Sequence, residues 1–138
     1  MARKGSLQDQ IEKRIAERGD ASFLTREFSD LGDERQVLRA LAKVVSSGKL
    51  VRLGYGVYAR TEQSPLTGQP MLAARQGFLD ASRQALTKLG VAWEPPEWER
   101  AYNERRSTQI PVNAAVRVKD RKFARRLSYR GIPLVVER

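Results

Sequence analysis

The chain has 138 residues, with 26 Lys or Arg against 16 Asp or Glu, so its formal net charge is +10 and its isoelectric point is near 10.5. It contains neither cysteine nor histidine, which excludes disulfides, thiolate metal sites and the commonest general base. Its apolar runs fall far short of the roughly 20 residues that cross a bilayer, and the basic start at 1–5 lacks the apolar segment of a signal peptide. These features predict a cytoplasmic protein with a polyanionic partner, not an enzyme, a metalloprotein or a membrane protein.

An amphipathic helix is the first predicted element, with Ser6 as its N-cap and Gly19 as its stop. Its inward face consists of apolar residues four positions apart, Leu7, Ile11 and Ile15. A short apolar strand over 21–24 follows, and Thr25 then caps a second, shorter helix that ends at Gly32. Because almost no chain separates this helix from the next, the two must cross steeply, as in a helix-turn-helix.

The third predicted helix, Asp33 to Ser47, carries the clearest functional signal. At about 100° per residue, its apolar face is formed by Val37, Leu38, Leu41, Val44 and Val45. The opposite face is basic or polar and is formed by Arg35, Gln36, Arg39, Lys43 and Ser46. Acidic residues are confined to the first turn, where they complement the helix dipole, and Gly48 ends the helix. Such a helix suits a DNA major groove.

A tight hairpin is predicted next, with strands over 50–53 and 57–60 and the turn Gly54-Tyr55-Gly56 between them. The order helix, strand, helix, turn, helix, hairpin over 1–60 predicts a winged helix-turn-helix. A plain three-helix bundle with a hairpin tail is the alternative, and the cationic face of the third helix favours the DNA-binding form.

A polar segment over 61–69 is predicted to be a linker, and 70–138 a C-terminal α+β domain. Pro70 suits the first position of a helix that reaches Leu89. Its apolar stripe is predicted to be core and consists of Met71, Leu72, Phe78, Leu79, Leu86 and Leu89. A brief strand over 91–93 and a short helix from Glu97 to Arg105, carrying Trp98 and Tyr102, are predicted to follow.

The remaining chain is predicted to form antiparallel strands. Apolar residues alternate with polar ones over 112–118, the pattern of a half-buried strand, and two further strands are predicted over 123–129 and 132–137. The predicted fold class is therefore α+β: a winged helix-turn-helix over 1–60, a linker over 61–69, and a small α+β domain with antiparallel strands over 70–138.

Candidate DNA contacts follow from this placement. Arg35, Gln36 and Arg39 lie in the first turns of the presumed recognition helix, where Arg can pair with guanine and Gln with adenine. Contacts to phosphate, or pairing of the arginines with Glu34, are the alternatives. Backbone contacts are assigned to Lys43, to Thr25 and Arg26 at the start of the second helix, and to Arg52, Tyr55 and Arg60 in the wing.

A second basic cluster lies near the C-terminus and consists of Arg117, Lys119, Arg121, Lys122, Arg125 and Arg126. It is predicted to extend the nucleic-acid footprint, on DNA or on RNA. The alternative is a solvated sheet whose cationic edge prevents pairing with another strand.

Several segments resemble AbiEi-type antitoxins, the winged-helix regulators of type IV toxin–antitoxin operons. The resemblance is carried by 28–32, 39–41, 48–52 and 54–59, by Ser107-Thr108-Gln109-Ile110-Pro111, and by 132–136. It implies a repressor of its own operon, and in some family members a C-terminal half that neutralises a nucleotidyltransferase-like toxin. The C-terminal half of this chain is shorter than in the longer members.

The leading hypothesis is a sequence-specific, double-stranded DNA-binding regulator without a cofactor, acting as a monomer or a homodimer. The alternatives are an antitoxin that acts on a toxin protein through its C-terminal half, and an RNA-binding accessory module.

Overall fold

A computed structural model describes residues 6–63, 65–68, 70–72, 77–97, 99, 114–120, 123 and 125–137. In chain order the elements are α1 Leu7–Arg18, β1 Ser22–Leu24, a 3-10 turn Thr25–Phe28, α2 Glu34–Ser46, β2 Leu50–Gly54, β3 Val57–Gln63, β4 Pro70–Leu72, α3 Phe78–Lys88, β5 Trp93–Glu94, β6 Ala115–Val118, β7 Ser128–Tyr129, β8 Ile132–Pro133 and β9 Val135–Glu137. This mixture confirms the α+β class. None of the helices in these ranges is long and apolar enough to cross a bilayer.

The first helix forms as its sequence predicts. Ser6 is the N-cap of α1: its hydroxyl accepts a bond from the Asp9 amide, and its own amide donates to the Asp9 carboxylate, each at 3.2 Å. Gly19 adopts the left-handed backbone at φ 64° that ends the helix. Ile11 and Ile15 are buried, so the predicted inward face is confirmed.

The second predicted helix is only a 3-10 turn, Thr25–Phe28. Thr25 is its first residue and not its cap, and the preceding Leu24 amide donates to the Glu27 carboxylate at 2.7 Å. The turn is short because its polar groups bond to neighbouring elements instead of continuing a helix.

The helix α2 begins and ends at predicted positions. Asp33 caps it, since the Asp33 carboxylate accepts the Gln36 amide at 2.8 Å, and Gly48 follows at φ 82°. Val37, Leu41 and Val44 are buried. The apolar face is narrower than predicted, because Leu38 is 41% exposed.

The three strands β1, β3 and β2 lie side by side in that order and are antiparallel. Phe23 of β1 pairs with Tyr58 of β3, and both pack with Leu50 in the core beneath α1 and α2. Leu24 and Val57, the next pair along, belong to a different core on the opposite face. The sheet is therefore buried on both faces and is the middle one of three layers.

The third layer comes from the C-terminal half. Residues from 1–60 and from 70–138 share its core, which contains Leu24, Leu53, Val57, Ala59, Leu72, Ala81, Ala85, Leu86, Val116, Val118, Phe123, Leu127 and Leu134. The amide of Ser22 in β1 also donates to the side chain of Gln84 in α3 at 2.7 Å. The two predicted domains thus share one core.

The linker prediction is wrong at its N-terminal end, and the element that follows it is not the predicted helix. Strand β3 continues to Gln63, and its last residues, 61–63, pair with β4, Pro70–Leu72. Pro70 therefore begins a strand and not a helix, and α3 begins at Phe78. Met71 is 41% exposed, so it is not part of a core stripe.

The C-terminal strands are shorter than predicted, and one pair has the opposite orientation. Strand β6 pairs antiparallel with β5 but parallel with β9. Among the described residues of 123–129, only Ser128–Tyr129 form a strand, and the segment 132–137 is divided between β8 and β9. The predictions for Trp98, for 100–105, for the motif at 107–111 and for 112–113 lie outside the described residues.

Candidate nucleic-acid interface

The outward face of α2 is open. Arg35, Arg39 and Lys43 are all exposed, and none forms an ion pair with a described residue. Leu38 and Ala42 are exposed beside them. The helix therefore presents three cations and two apolar side chains along one side, which can donate hydrogen bonds to base edges and contact thymine methyl groups in a major groove.

Gln36, a predicted base contact, is exposed and also has a structural role. Its side-chain oxygen accepts the Asp33 amide at 3.4 Å, while its own amide donates to Asp33. This reciprocal pair is a capping box that fixes the start of α2. Gln36 thus positions the helix, and the sequence signal for that role is its place three residues after an N-cap aspartate.

The β2–β3 hairpin carries an exposed aromatic side chain at its turn. Tyr55 is 77% exposed, whereas Tyr58 is 6% exposed, so Tyr55 is the tyrosine that projects from the turn. Burial raises the pKa of the Tyr58 phenol, although the nearby charge of Arg52 and a contact with Thr25 oppose the shift. The Tyr58 hydroxyl is therefore neutral at ordinary pH.

Two guanidinium groups are held at adjacent carbonyls of the hairpin turn. Arg52 donates through Nε to the Gly54 carbonyl at 3.2 Å, and Arg125 donates to the Tyr55 carbonyl at 2.9 Å. Each bond uses one of five N–H donors. Arg125 reaches the turn because Gly54 lets the 126–127 backbone approach: a Cβ on Gly54 would lie 2.5 Å from the Arg126 carbonyl oxygen.

The start of the 3-10 turn is less available than predicted. The Thr25 amide donates to the Gly56 carbonyl at 3.1 Å, so it is not free for a phosphate. The Thr25 hydroxyl is buried beside Tyr58 without a hydrogen bond of normal length. Arg26 is exposed and donates to the Lys88 carbonyl at the end of α3.

Arg60 lies at the opposite end of the hairpin from the turn. It pairs in register with Leu50, and its guanidinium donates to the carbonyls of Asp20 at 3.3 Å and Gly19 at 3.4 Å. Arg60 therefore holds the loop after α1, and the structure does not bring it to the predicted wing contact.

The described members of the C-terminal basic cluster have different surroundings. Arg125 and Arg126 are exposed next to the hairpin turn. Arg117 is half-buried on β6, and Lys119 lies 3.8 Å from the Glu94 carboxylate. The predictions for Arg121 and Lys122 lie outside the described residues.

A groove of about 840 Å³ lies between α2 and the hairpin. Its apolar lining comes from Leu24, Val37, Leu38, Ala42, Val45 and Leu89, and its polar lining includes Thr25, Arg26, Asp33, Glu34, Arg52, Tyr55, Tyr58 and Arg125. Sequence reasoning missed this groove, because a helical projection cannot tell that Leu38 and Ala42 face a hairpin across open space.

Ion pairs fix the turn that carries α2. Arg14 of α1 forms two hydrogen bonds to Asp30, at 2.6 and 2.8 Å, and a third to the Glu27 carbonyl at 2.8 Å. The Arg14 guanidinium lowers the pKa of the Asp30 carboxyl to about 2. This clamp joins α1 to the segment between the 3-10 turn and α2.

A second group of charges ties α3 to the same turn. Lys88 is 19% exposed, and its ammonium lies 2.8 Å from the Asp20 carboxylate, 3.0 Å from Glu27 and 2.7 Å from the Ser22 carbonyl. It also lies 4.7 Å from the centre of the Phe23 ring. The C-terminal half therefore fixes the position of the turn that precedes α2.

Within the described ranges, no group of three His, Cys, Asp or Glu side chains could hold a metal ion. No protein-family model, curated protein or solved structure matches the chain.

Proposed function

We propose that the protein is a sequence-specific, double-stranded DNA-binding regulator whose reading element is α2. The observation that carries the proposal is the outward face of α2, where Arg35, Arg39 and Lys43 are exposed and free of ion pairs with the described residues. A net charge of +10 supports a polyanionic partner. On this proposal α1, the 3-10 turn, α2 and the β2–β3 hairpin act together as a winged helix-turn-helix.

The residues divide between reading bases and holding the backbone. Arg35 and Arg39 lie in the first turns of α2, so they are placed to pair bidentately with guanine. Leu38 and Ala42 lie between them and the hairpin and suit contact with a thymine methyl group. Lys43 is one turn further along and holds a phosphate.

The hairpin turn supplies the wing. Tyr55 projects from it, and Arg125 and Arg126 lie beside it. These side chains would hold the phosphates that flank the DNA major groove entered by α2. The affinity for DNA would therefore depend strongly on the salt concentration. Occupation of a promoter would exclude polymerase. The role of autorepressor in a type IV toxin–antitoxin-like operon depends on the AbiEi resemblance and is part of the proposal.

The experiment is selection of preferred duplexes from a random pool, followed by anisotropy titrations at a fixed salt concentration. Arg39→Ala is expected to weaken binding to the selected duplex by about 1–3 kcal/mol and to relax preference at one base pair. Lys43→Ala is expected to lower the affinity for all duplex sequences by the same factor. The control is Lys13→Ala, which removes an exposed lysine from α1 and is expected to leave binding unchanged.

If Lys13→Ala and Lys43→Ala lowered the affinity for DNA equally, binding would be a nonspecific attraction between charges. A pool from which no sequence is enriched would contradict the proposal outright.

A further inference from the structure

The groove between α2 and the β2–β3 hairpin has the size and lining of a small-molecule site. Its volume of about 840 Å³ lies within the range of roughly 300–1,000 Å³ that is usual for ligand pockets. One wall is formed by Leu38, Ala42 and Val45 of α2, and Leu89, next to the end of α3, also lines the groove. Leu38 is 41% exposed although it is a large apolar side chain, so covering it with an apolar group would be favourable.

The charges of the groove are unevenly placed. Asp33 and Glu34 lie together at the start of α2, and the Asp33 carboxylate already accepts the helix amide of Gln36. Arg52 and Arg125 lie on the hairpin side, where adjacent carbonyls of the turn hold them. Neither arginine is paired with a carboxylate of a described residue. The hairpin side therefore offers two neighbouring guanidinium groups to an anion.

We propose that this groove binds a small organic anion: a carboxylate or sulfonate that carries an apolar ring or chain. The anionic group would lie against Arg52 and Arg125, and the apolar body against Leu38, Ala42 and Leu89. Tyr58 also lines the groove and provides a neutral hydroxyl there.

Occupation of the groove would also oppose DNA binding, a consequence that rests on the proposed function. The ligand would neutralise the arginines beside the wing and cover Leu38 and Ala42, which the DNA complex needs. The ligand is therefore an inducer: it releases the protein from its operator.

The test uses the full chain and the fluorescent probe 8-anilinonaphthalene-1-sulfonate, without DNA. Saturable binding of one probe per chain is expected. The probe N-phenyl-1-naphthylamine has the same apolar body but no sulfonate, and we expect it to bind about tenfold more weakly, because it lacks the charge-assisted bonds to the arginines. Arg52→Gln and Arg125→Gln are each expected to lower the affinity for the sulfonate probe about tenfold and to leave the affinity for the neutral probe unchanged. Lys13→Gln is expected to change neither affinity.

A second set of variants tests whether the probes bind in the groove, by filling it. Ala42→Phe places a ring on the exposed wall of the groove and is expected to weaken both probes at least about tenfold. Ser46→Phe adds the same ring at an exposed position of α2 that does not line the groove, and we expect it to leave both probes unchanged. Thermal unfolding of each variant establishes that it folds.

Three results would overturn the proposal: equal binding of the two probes, undiminished binding to Ala42→Phe, or a dimer by light scattering that Ala42→Phe converts to a monomer. The last result would assign the groove to a second copy of the chain. Competition with a selected duplex is measured separately. If the probe binds the groove but displaces no DNA, the ligand site stands and its role as an inducer is refuted. If no duplex is ever bound, the proposed function fails and the ligand site stands.

Discussion

Leu86→Ala tests whether the two halves of the chain share one core. Leu86 lies on α3 and is fully buried in the cluster that also contains Leu24, Val57 and Ala59 from the first 60 residues. Removing its three terminal carbons leaves a cavity, and such changes cost about 2–5 kcal/mol. Because total stability is about 5–15 kcal/mol for a domain of this kind, the loss is large enough to measure.

The assay is hydrogen exchange of the α2 amides, which lie on the other side of the sheet from Leu86. If the layers unfold together, the slowest of these amides exchange through global unfolding, and a loss of 2 kcal/mol raises their exchange rate about 30-fold. The matched control is Leu66→Ala, at a position that is 93% exposed, where no acceleration is expected. Faster exchange of α3 with unchanged exchange of α2 would refute the shared core and restore two independent domains.

Three other predictions follow from single contacts. Gly54→Ala forces a Cβ to within 2.5 Å of the Arg126 carbonyl oxygen, so we expect a loss of roughly 1–3 kcal/mol; an unchanged urea midpoint would contradict that packing. Lys88→Met removes the ammonium beside the carboxylate of Glu27, which is 14% exposed, and leaves Arg18 at 3.0 Å as its cationic partner. We expect a loss of roughly 1–3 kcal/mol by urea unfolding, whereas unaltered stability would show the ammonium to be dispensable. Asp30 has a folded-state pKa lowered from 3.8 to about 2, so its contribution is complete above pH 4 and is lost as the pH falls toward 2. Asp30→Asn should therefore lose less stability than the native chain between pH 5 and about pH 2, and equal losses would refute this linkage.

Local signals in the sequence predicted the first 60 residues well. Ser6 and Asp33 are followed by the residues that complete their capping boxes, and Gly19 and Gly48 take the left-handed conformation that ends a helix. Each of these features depends on neighbours within four residues. The hairpin and its turn were predictable for the same reason.

The packing of the two halves was not predicted, although a signal was present. The segments 22–24 and 57–59 contain no charged residue, and all their side chains are buried. A strand that is buried on both faces shows this unbroken apolar pattern, not alternation. The linker and the separate domain were predicted from the polar composition of 61–69, without weighing this pattern.

Other errors arose where distant parts of the chain decide the outcome. Pro70 is compatible with the start of a helix and with an edge strand, and pairing of β4 with 61–63 selects the strand. Parallel pairing of β6 with β9 could not be predicted from alternation, because both orientations have a period of two. The site was predicted in part: Arg35, Arg39 and Lys43 are exposed as expected, whereas Arg60 bonds to loop carbonyls.

The proposed function requires the outward face of α2 to meet double-stranded DNA. The most direct test is a titration of the isotope-labelled chain with a selected duplex, followed by the backbone amide signals in NMR spectra. We predict the largest shifts within 34–46 and at the turn 54–56, with weaker changes at 125–126. Shifts confined to α1 or to β6, with the amide signals of α2 unchanged at saturation, would contradict DNA binding by α2.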